Sequence, residues 1–141
     1  MKSYRFNEAD IQIPETWKVH TVQSFVVPGD KGASTASLVI TRDADTPAKD
    51  VQNYMDLQVA EAAKNFKGFK PVGRRAIVLG GQPAVELTYT WVTPEKVTIQ
   101  QRQVCLQQDQ GFLIITMTAK VSDFPKHEEV LMAAVQSLRL R

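Results

Sequence analysis

Few residues in this chain have the chemistry to act as catalysts or metal ligands. Cys105 is its only cysteine, and His20 and His127 are its only histidines. The histidines lie far apart in sequence, and neither has a cysteine or carboxylate at ligand spacing such as His-x-x-x-His, so no metal site is expected. Cys105 sits in Gln103-Val104-Cys105-Leu106-Gln107, which has no base or cation to stabilise a thiolate, and it reads as a buried sulfur. Glu128 and Glu129 are adjacent on a helical pattern and diverge, while Asp43 and Asp45 fall in a polar, solvated-looking loop. Neither pair forms an acid/base dyad. Gly80-Gly81-Gln82-Pro83 leads into a strand pattern, not a helix, so it cannot present helix N–H groups to a phosphate. It reads as a hairpin turn. No catalytic residue, cofactor or metal is expected.

The elements that would position these residues follow from periodicity. Ile11-Gln12-Ile13 alternates as a strand, and Pro14-Glu15-Thr16-Trp17 reads as a corner anchored by its aromatic. Val19 to Val27 reads as a second strand stopped by Pro28-Gly29-Asp30, with Ala36 to Thr41 as its hairpin partner. Pro47 to Phe66 has helical spacing, with Val51, Met55, Val59 or Ala62, and Phe66 on one stripe, Thr46 as N-cap and Gly68 as stop. Strands at 75–79, 83–91, 97–106 and 112–120, joined by short connections, predict an antiparallel meander. Asp123-Phe124-Pro125 opens a closing helix with Val130, Leu131, Ala134 and Leu138 as its apolar stripe. The expected fold is α+β, an antiparallel sheet packed with helices, in a single domain over 1–141.

Composition narrows the class of function. The chain has 17 Lys and Arg against 15 Asp and Glu, a net charge of +2, so no nucleic-acid partner is indicated. Apolar runs such as Phe112 to Ile115 are far shorter than the roughly 20 residues that span a bilayer. The first residues lack the apolar stretch of about 7 to 15 that a secretory signal needs, so a cytoplasmic location is expected, in keeping with the lone cysteine.

Glutamine is dense at Gln100, Gln101, Gln103, Gln107, Gln108 and Gln110, and Gln58 interrupts the apolar side of the main helix. Alternation puts Val97, Ile99, Gln101, Gln103 and Cys105 on one strand face and Arg102, Val104 and Leu106 on the other, while 112–117 is apolar on both. Both sheet faces are therefore expected to be covered. An uncharged amide in a partly apolar groove can meet a partner's polar groups without the cost of desolvating an ion. A solvent-exposed polar strand face would show the same pattern.

Taken in order, Phe6-Asn7-Glu8-Ala9 through Ile11 and Ile13 to Pro14-x-x-Trp17, Leu38-Val39-Ile40-Thr41-Arg42, Phe66-Lys67-Gly68-Phe69, Gly81-Gln82-Pro83-Ala84, Tyr89-Thr90-Trp91, Gln101-Arg102-Gln103 and Ser137-Leu138-Arg139-Leu140 resemble the DcrB-like family. Within that family they resemble the Eag branch, effector-associated chaperones of bacterial type VI secretion. The resemblance implies a PsbP-like α/β/α sandwich, a homodimer, and a role in shielding the N-terminal transmembrane segments of an effector. It also implies a second partner, the VgrG spike on which the effector is loaded. By motif position, the effector-binding surface carries over to Val22 and Ser24, to Gln58 and Phe66 on the main helix, and to Gln101 or Gln103. Ser24 stands where an aliphatic residue is expected, so either this member grips its cargo less apolarly or Phe25 and Val26 define that strand face differently. Two other readings are a DcrB-like or PsbP-like accessory module that stabilises a membrane or protein complex, and a small hydrolase built on Cys105 or a histidine.

Overall fold

Two hydrophobic layers separated by one sheet organise the chain. A computed structural model describes residues 1–28 and 34–141. Its strands are β1 (Lys2–Arg5), β2 (Asp10–Ile13), β3 (Gln23–Pro28), β4 (Ser34–Asp43), β5 (Lys70–Leu79), β6 (Gln82–Val92), β7 (Thr98–Gln108) and β8 (Gly111–Lys120). Its helices are α1 (Val51–Asn65), between β4 and β5, and α2 (Phe124–Gln136), after β8. The strands β3-β4-β8-β7-β6-β5 form a six-stranded sheet in that order, with every neighbouring pair antiparallel. The expected meander is its β5-to-β8 portion, four of the six strands. β1 and β2 form a hairpin of their own.

Alternation along the strands explains why the sheet is covered twice. On β7 and β8, Val104, Leu106, Ile115 and Met117 point to one side and meet Phe124, Leu131 and Val135 of α2. Cys105, Phe112 and Ile114 point to the other, joining Val85, Leu87 and Tyr89 of β6 beneath Tyr54 and Met55 of α1. Each large apolar side chain buried this way contributes about 1.5–3 kcal/mol. The result is an α/β/α sandwich.

Several boundaries differ from the sequence reading. Asp50, not Thr46, caps α1: its carboxylate accepts from Asn53 N at 2.7 Å, whereas Thr46 Oγ1 takes Ala48 N in a local turn just upstream. The segment 19–22 is not part of β3, which starts at Gln23. The turn after Pro14 is present, with Trp17 N donating to Pro14 O, but Trp17 is 59% exposed and is not a core residue. Asp43 is not a free loop acid, because it ends β4 and accepts the Tyr54 hydroxyl at 2.9 Å. Val130 leaves the expected α2 stripe and faces outward, and Val135 takes its place in the core. The proposed stop at Gly29-Asp30 lies outside the described residues.

Gly80 and Gly81 both have positive φ, 60° and 79°, as a two-residue hairpin matched to strand twist requires. Gly111 cannot be replaced without movement, since a Cβ there would overlap the Asp43 carbonyl.

An ion network ties the α2 layer to the sheet edge. Glu86 Oε1 accepts from Arg75 Nε and Arg102 Nη2, both at 3.0 Å, and Arg102 Nη1 reaches Glu128 of α2 at 2.7 Å. The Glu86 side chain is 5% exposed, and among the described residues its Oε2 and the Arg102 Nε have no hydrogen-bond partner. A buried pair of this kind is costly to break, because the remaining charge stays desolvated. Glu86→Ala is expected to lower folding stability by about 3–5 kcal/mol in urea titrations. Replacing Glu86 and Arg102 together by Leu should cost less than either single change, whereas loss of the exposed Arg75 should cost no more than about 1 kcal/mol.

Candidate functional site

Antiparallel register places residues from distant strands in straight rows across the sheet. On the α1 side one row runs Leu87, Gln103, Thr116, Val39, Ser24 from β6 to β3. The next runs Tyr89, Gln101, Thr118, Ser37, Val26. Neither row contains a charged residue. α1 packs over β6 and β7 and covers the β6 end of these rows, while the β4 and β3 ends carry half-buried or exposed side chains. A shelf of small, β-branched and amide side chains therefore extends from beneath α1 toward the β3 edge.

The glutamines are held by their own network. Gln101 Oε1 accepts the Trp91 indole N–H at 2.9 Å, and its Nε2 donates to Thr118 Oγ1 at 2.9 Å. Gln103 Nε2 reaches Thr116 Oγ1 at 3.4 Å. Each amide keeps further donor and acceptor capacity beyond these bonds. Phe66, at the C-cap of α1, stacks on Trp91 with ring centroids 4.4 Å apart and planes 13° apart. Phe66, Trp91, Gln101 and Thr118 thus form one linked band. Gln58, Phe66 and Gln103 also line a cavity of about 100 Å³ with Leu87 and Tyr89.

Of the residues singled out from sequence, Gln58, Phe66 and Gln103 meet in one place, with Gln101 beside them. Ser24 lies at the far end of the Gln103 row, on β3. Val22 does not sit on that strand: it precedes β3 and is exposed. Val39, Thr116 and Thr118 were missed, and only the inter-strand register brings them to the shelf.

Cys105 is fully buried under α1, and burial pushes its thiol up to about 12. Burial likewise raises Tyr89 to about 12. His127 bonds Thr35 Oγ1 at 2.8 Å from α2, on the opposite side of the sheet, and His20 is exposed. No helix among the described residues is long and apolar enough to cross a membrane.

An antiparallel sheet with one helix on each side, carrying an uncharged shelf, defines the class: a PsbP-like α+β sandwich. A solved cyanobacterial PsbP from Synechocystis has the same fold, with a TM-score of 0.53 at 8% identity, over 89% of this chain and 96% of that one. The chain belongs to the DcrB family, whose model matches residues 8–137. It is 36% identical to effector EagT6 of Pseudomonas aeruginosa over 98% of this chain and 95% of that protein. It also superposes on a P. aeruginosa protein described as PA94, a putative regulator of unknown function. That match has a TM-score of 0.82 and 35% identity, over 100% of this chain and 97% of that one.

The raised thiol pKa has a consequence for stability. Cys105 is neutral in the fold and ionises from its ordinary value of 9.0 when unfolded, so its contribution is complete below pH 9 and is lost as pH rises toward 12. Urea midpoints are expected to fall across that window, and Cys105→Ala should flatten the fall, leaving the part due to Tyr54 and Tyr89, whose hydroxyls burial also raises. A thiol reagent at pH 8 should label Cys105 only after denaturation.

Proposed function

We propose that this protein is a non-catalytic holding chaperone: it covers the apolar N-terminal transmembrane helices of a type VI secretion effector before export and aids their loading onto the VgrG spike. It acts in the cytoplasm as a homodimer. The carrying observation is the uncharged shelf, whose two rows place Gln101 and Gln103 among Thr, Ser, Val and aromatic groups. A transmembrane helix outside its bilayer exposes roughly 20 apolar side chains, each costing about 1.5–3 kcal/mol in water. A surface without charges can cover them without burying an ion, and amides with spare hydrogen-bond capacity can meet the small polar groups through which such helices pair. Similarity to a protein named effector EagT6 supports the link to effectors.

In this reading Val22, Ser24, Gln58, Phe66, Gln101 and Gln103 contact cargo, joined by Val39, Thr116 and Thr118. Val22 contributes from the approach to β3, and Ser24 makes the grip at the edge less apolar. The hydrolase reading has little behind it, since Cys105 is buried and His127 is engaged on the other side of the sheet.

Co-expression with the effector's N-terminal region is expected to yield a soluble complex. Gln58→Glu and Val22→Glu should each weaken capture by about tenfold or more, roughly 1.4 kcal/mol, without changing the circular dichroism spectrum. Cargo that is equally soluble alone, or capture unchanged in both variants, would sink the proposal.

A further inference from the structure

Strand pairing sets Tyr89 of β6 opposite Gln101 of β7, which makes Trp91 the diagonal neighbour of Gln101 on the α1 side. At that offset a long aromatic side chain can span the gap between strands, and the Trp91 indole N–H meets Gln101 Oε1 at 2.9 Å. Phe66, stacked nearly parallel on the same indole, fixes the plane in which that N–H points.

An amide has two ends of opposite polarity, whereas an indole can only donate. Trp91 therefore settles which end of Gln101 faces it. The oxygen must, and the Nε2 group is turned toward β8, where it donates to Thr118 Oγ1 at 2.9 Å. Thr118 stands past the two strands that α1 packs over and is half-buried. Its oxygen is taken by Gln101, so its hydroxyl hydrogen is left to give, and among the described residues no acceptor takes it. Gln103 is the contrast: its Nε2 reaches Thr116 Oγ1 at 3.4 Å, and among the described residues no donor holds its oxygen. One glutamine is aimed and the other can turn.

We propose that Trp91 is a positioning residue that gives the shelf its hydrogen-bond direction: acting through Gln101, it leaves the Thr118 hydroxyl as a donor to cargo. This row then selects apolar helices that offer an oxygen acceptor at that point. Resting on the cargo reading above, the inference names the feature of the cargo that is read. In a helix each backbone carbonyl has a second lone pair, and a small side chain nearby leaves it bare. Helix faces of small residues are those through which membrane helices approach closely, so a glycine- or serine-bearing face meets Thr118, while a face of leucines covers its own carbonyls. Trp91 itself touches no cargo in this arrangement.

The test uses the full chain with Trp91→Phe, which keeps a ring against Phe66 and removes only the donor. In cargo-free protein, NMR should show the Gln101 Nε2 protons shifted away from those of solvated glutamines, and Trp91→Phe should return them toward the solvated position while Gln103 stays as it was. Capture of the effector's N-terminal region should fall about fivefold in Trp91→Phe, with a native circular dichroism spectrum. Thr118→Val should fall similarly, Thr118→Ser should retain capture, and Trp91→Phe should cost nothing further once Thr118 is Val. A segment remade entirely in leucine should be captured equally by wild type and Trp91→Phe. Gln101 protons unmoved by Trp91→Phe, losses that simply add in the double variant, or a leucine segment that still tells the two proteins apart would each overturn the inference. A wild type that captures nothing overturns the cargo reading itself, whereas capture indifferent to Trp91→Phe overturns the inference alone.

Discussion

A helix about 10 Å across covers roughly two strand spacings of ~4.8 Å, and this sheet has six strands with one helix on each side. Two helices are therefore too narrow to cover both faces of the sheet. α1 lies over β6 and β7, and α2 lies over β8 and β4 on the other face. Apolar side chains on both faces of β7 and β8 force coverage at the centre, where Met55, Val104, Cys105, Leu106 and Met117 are fully buried. Toward β3 coverage thins: Val27 still packs on the α2-side core, while Ser24, Phe25 and Val26 are exposed.

The two α1-side rows that end at Ser24 and Val26 carry no charged residue, while Arg42 of β4 reaches Gln23 of β3 at 2.7 Å. Charged groups gather at the β5 edge and around Glu86 and Arg102, where they pair with one another. The shelf instead uses Ser, Thr, Val and Gln, with the glutamines already tied to Trp91, Thr118 and Thr116. Side chains held in this way lose less freedom when a partner binds. A surface that is uncharged, partly apolar and preordered suits reversible cover of an apolar segment. The buried neutral thiol of Cys105 packs into the layer beneath α1.

Much of the fold was legible because it is written in local periods. Alternation on β6 and β7, helical spacing at Val51, Met55 and Phe66, and the Gly80-Gly81 turn all act over a few residues. The errors fell where local signals compete. Thr46 and Asp50 both have a side chain able to cap, and the choice between them depends on where α1 meets the sheet. Val19 to Val22 has the β-branched composition of a strand, yet pairing with β4 begins only at Gln23 and Ile40, although β4 runs on to Asp43. Trp17 looks like a core anchor by type, yet it is exposed among the described residues.

Residue order alone was enough to indicate an α+β sandwich and an uncharged face on the glutamine strand, because side-chain chemistry and short periods are properties of neighbouring residues. Folding was needed to show that Gln103 shares a row with Thr116, Val39 and Ser24, that Gln58 and Phe66 line a cavity with it, and that β3 is the last strand on its side of the sheet among the described residues. Register and coverage arise from pairing strands far apart in the chain. The hydrogen-bond ladder that aligns them is made by backbone groups, which every residue carries alike and which therefore leave no mark in the order of side chains.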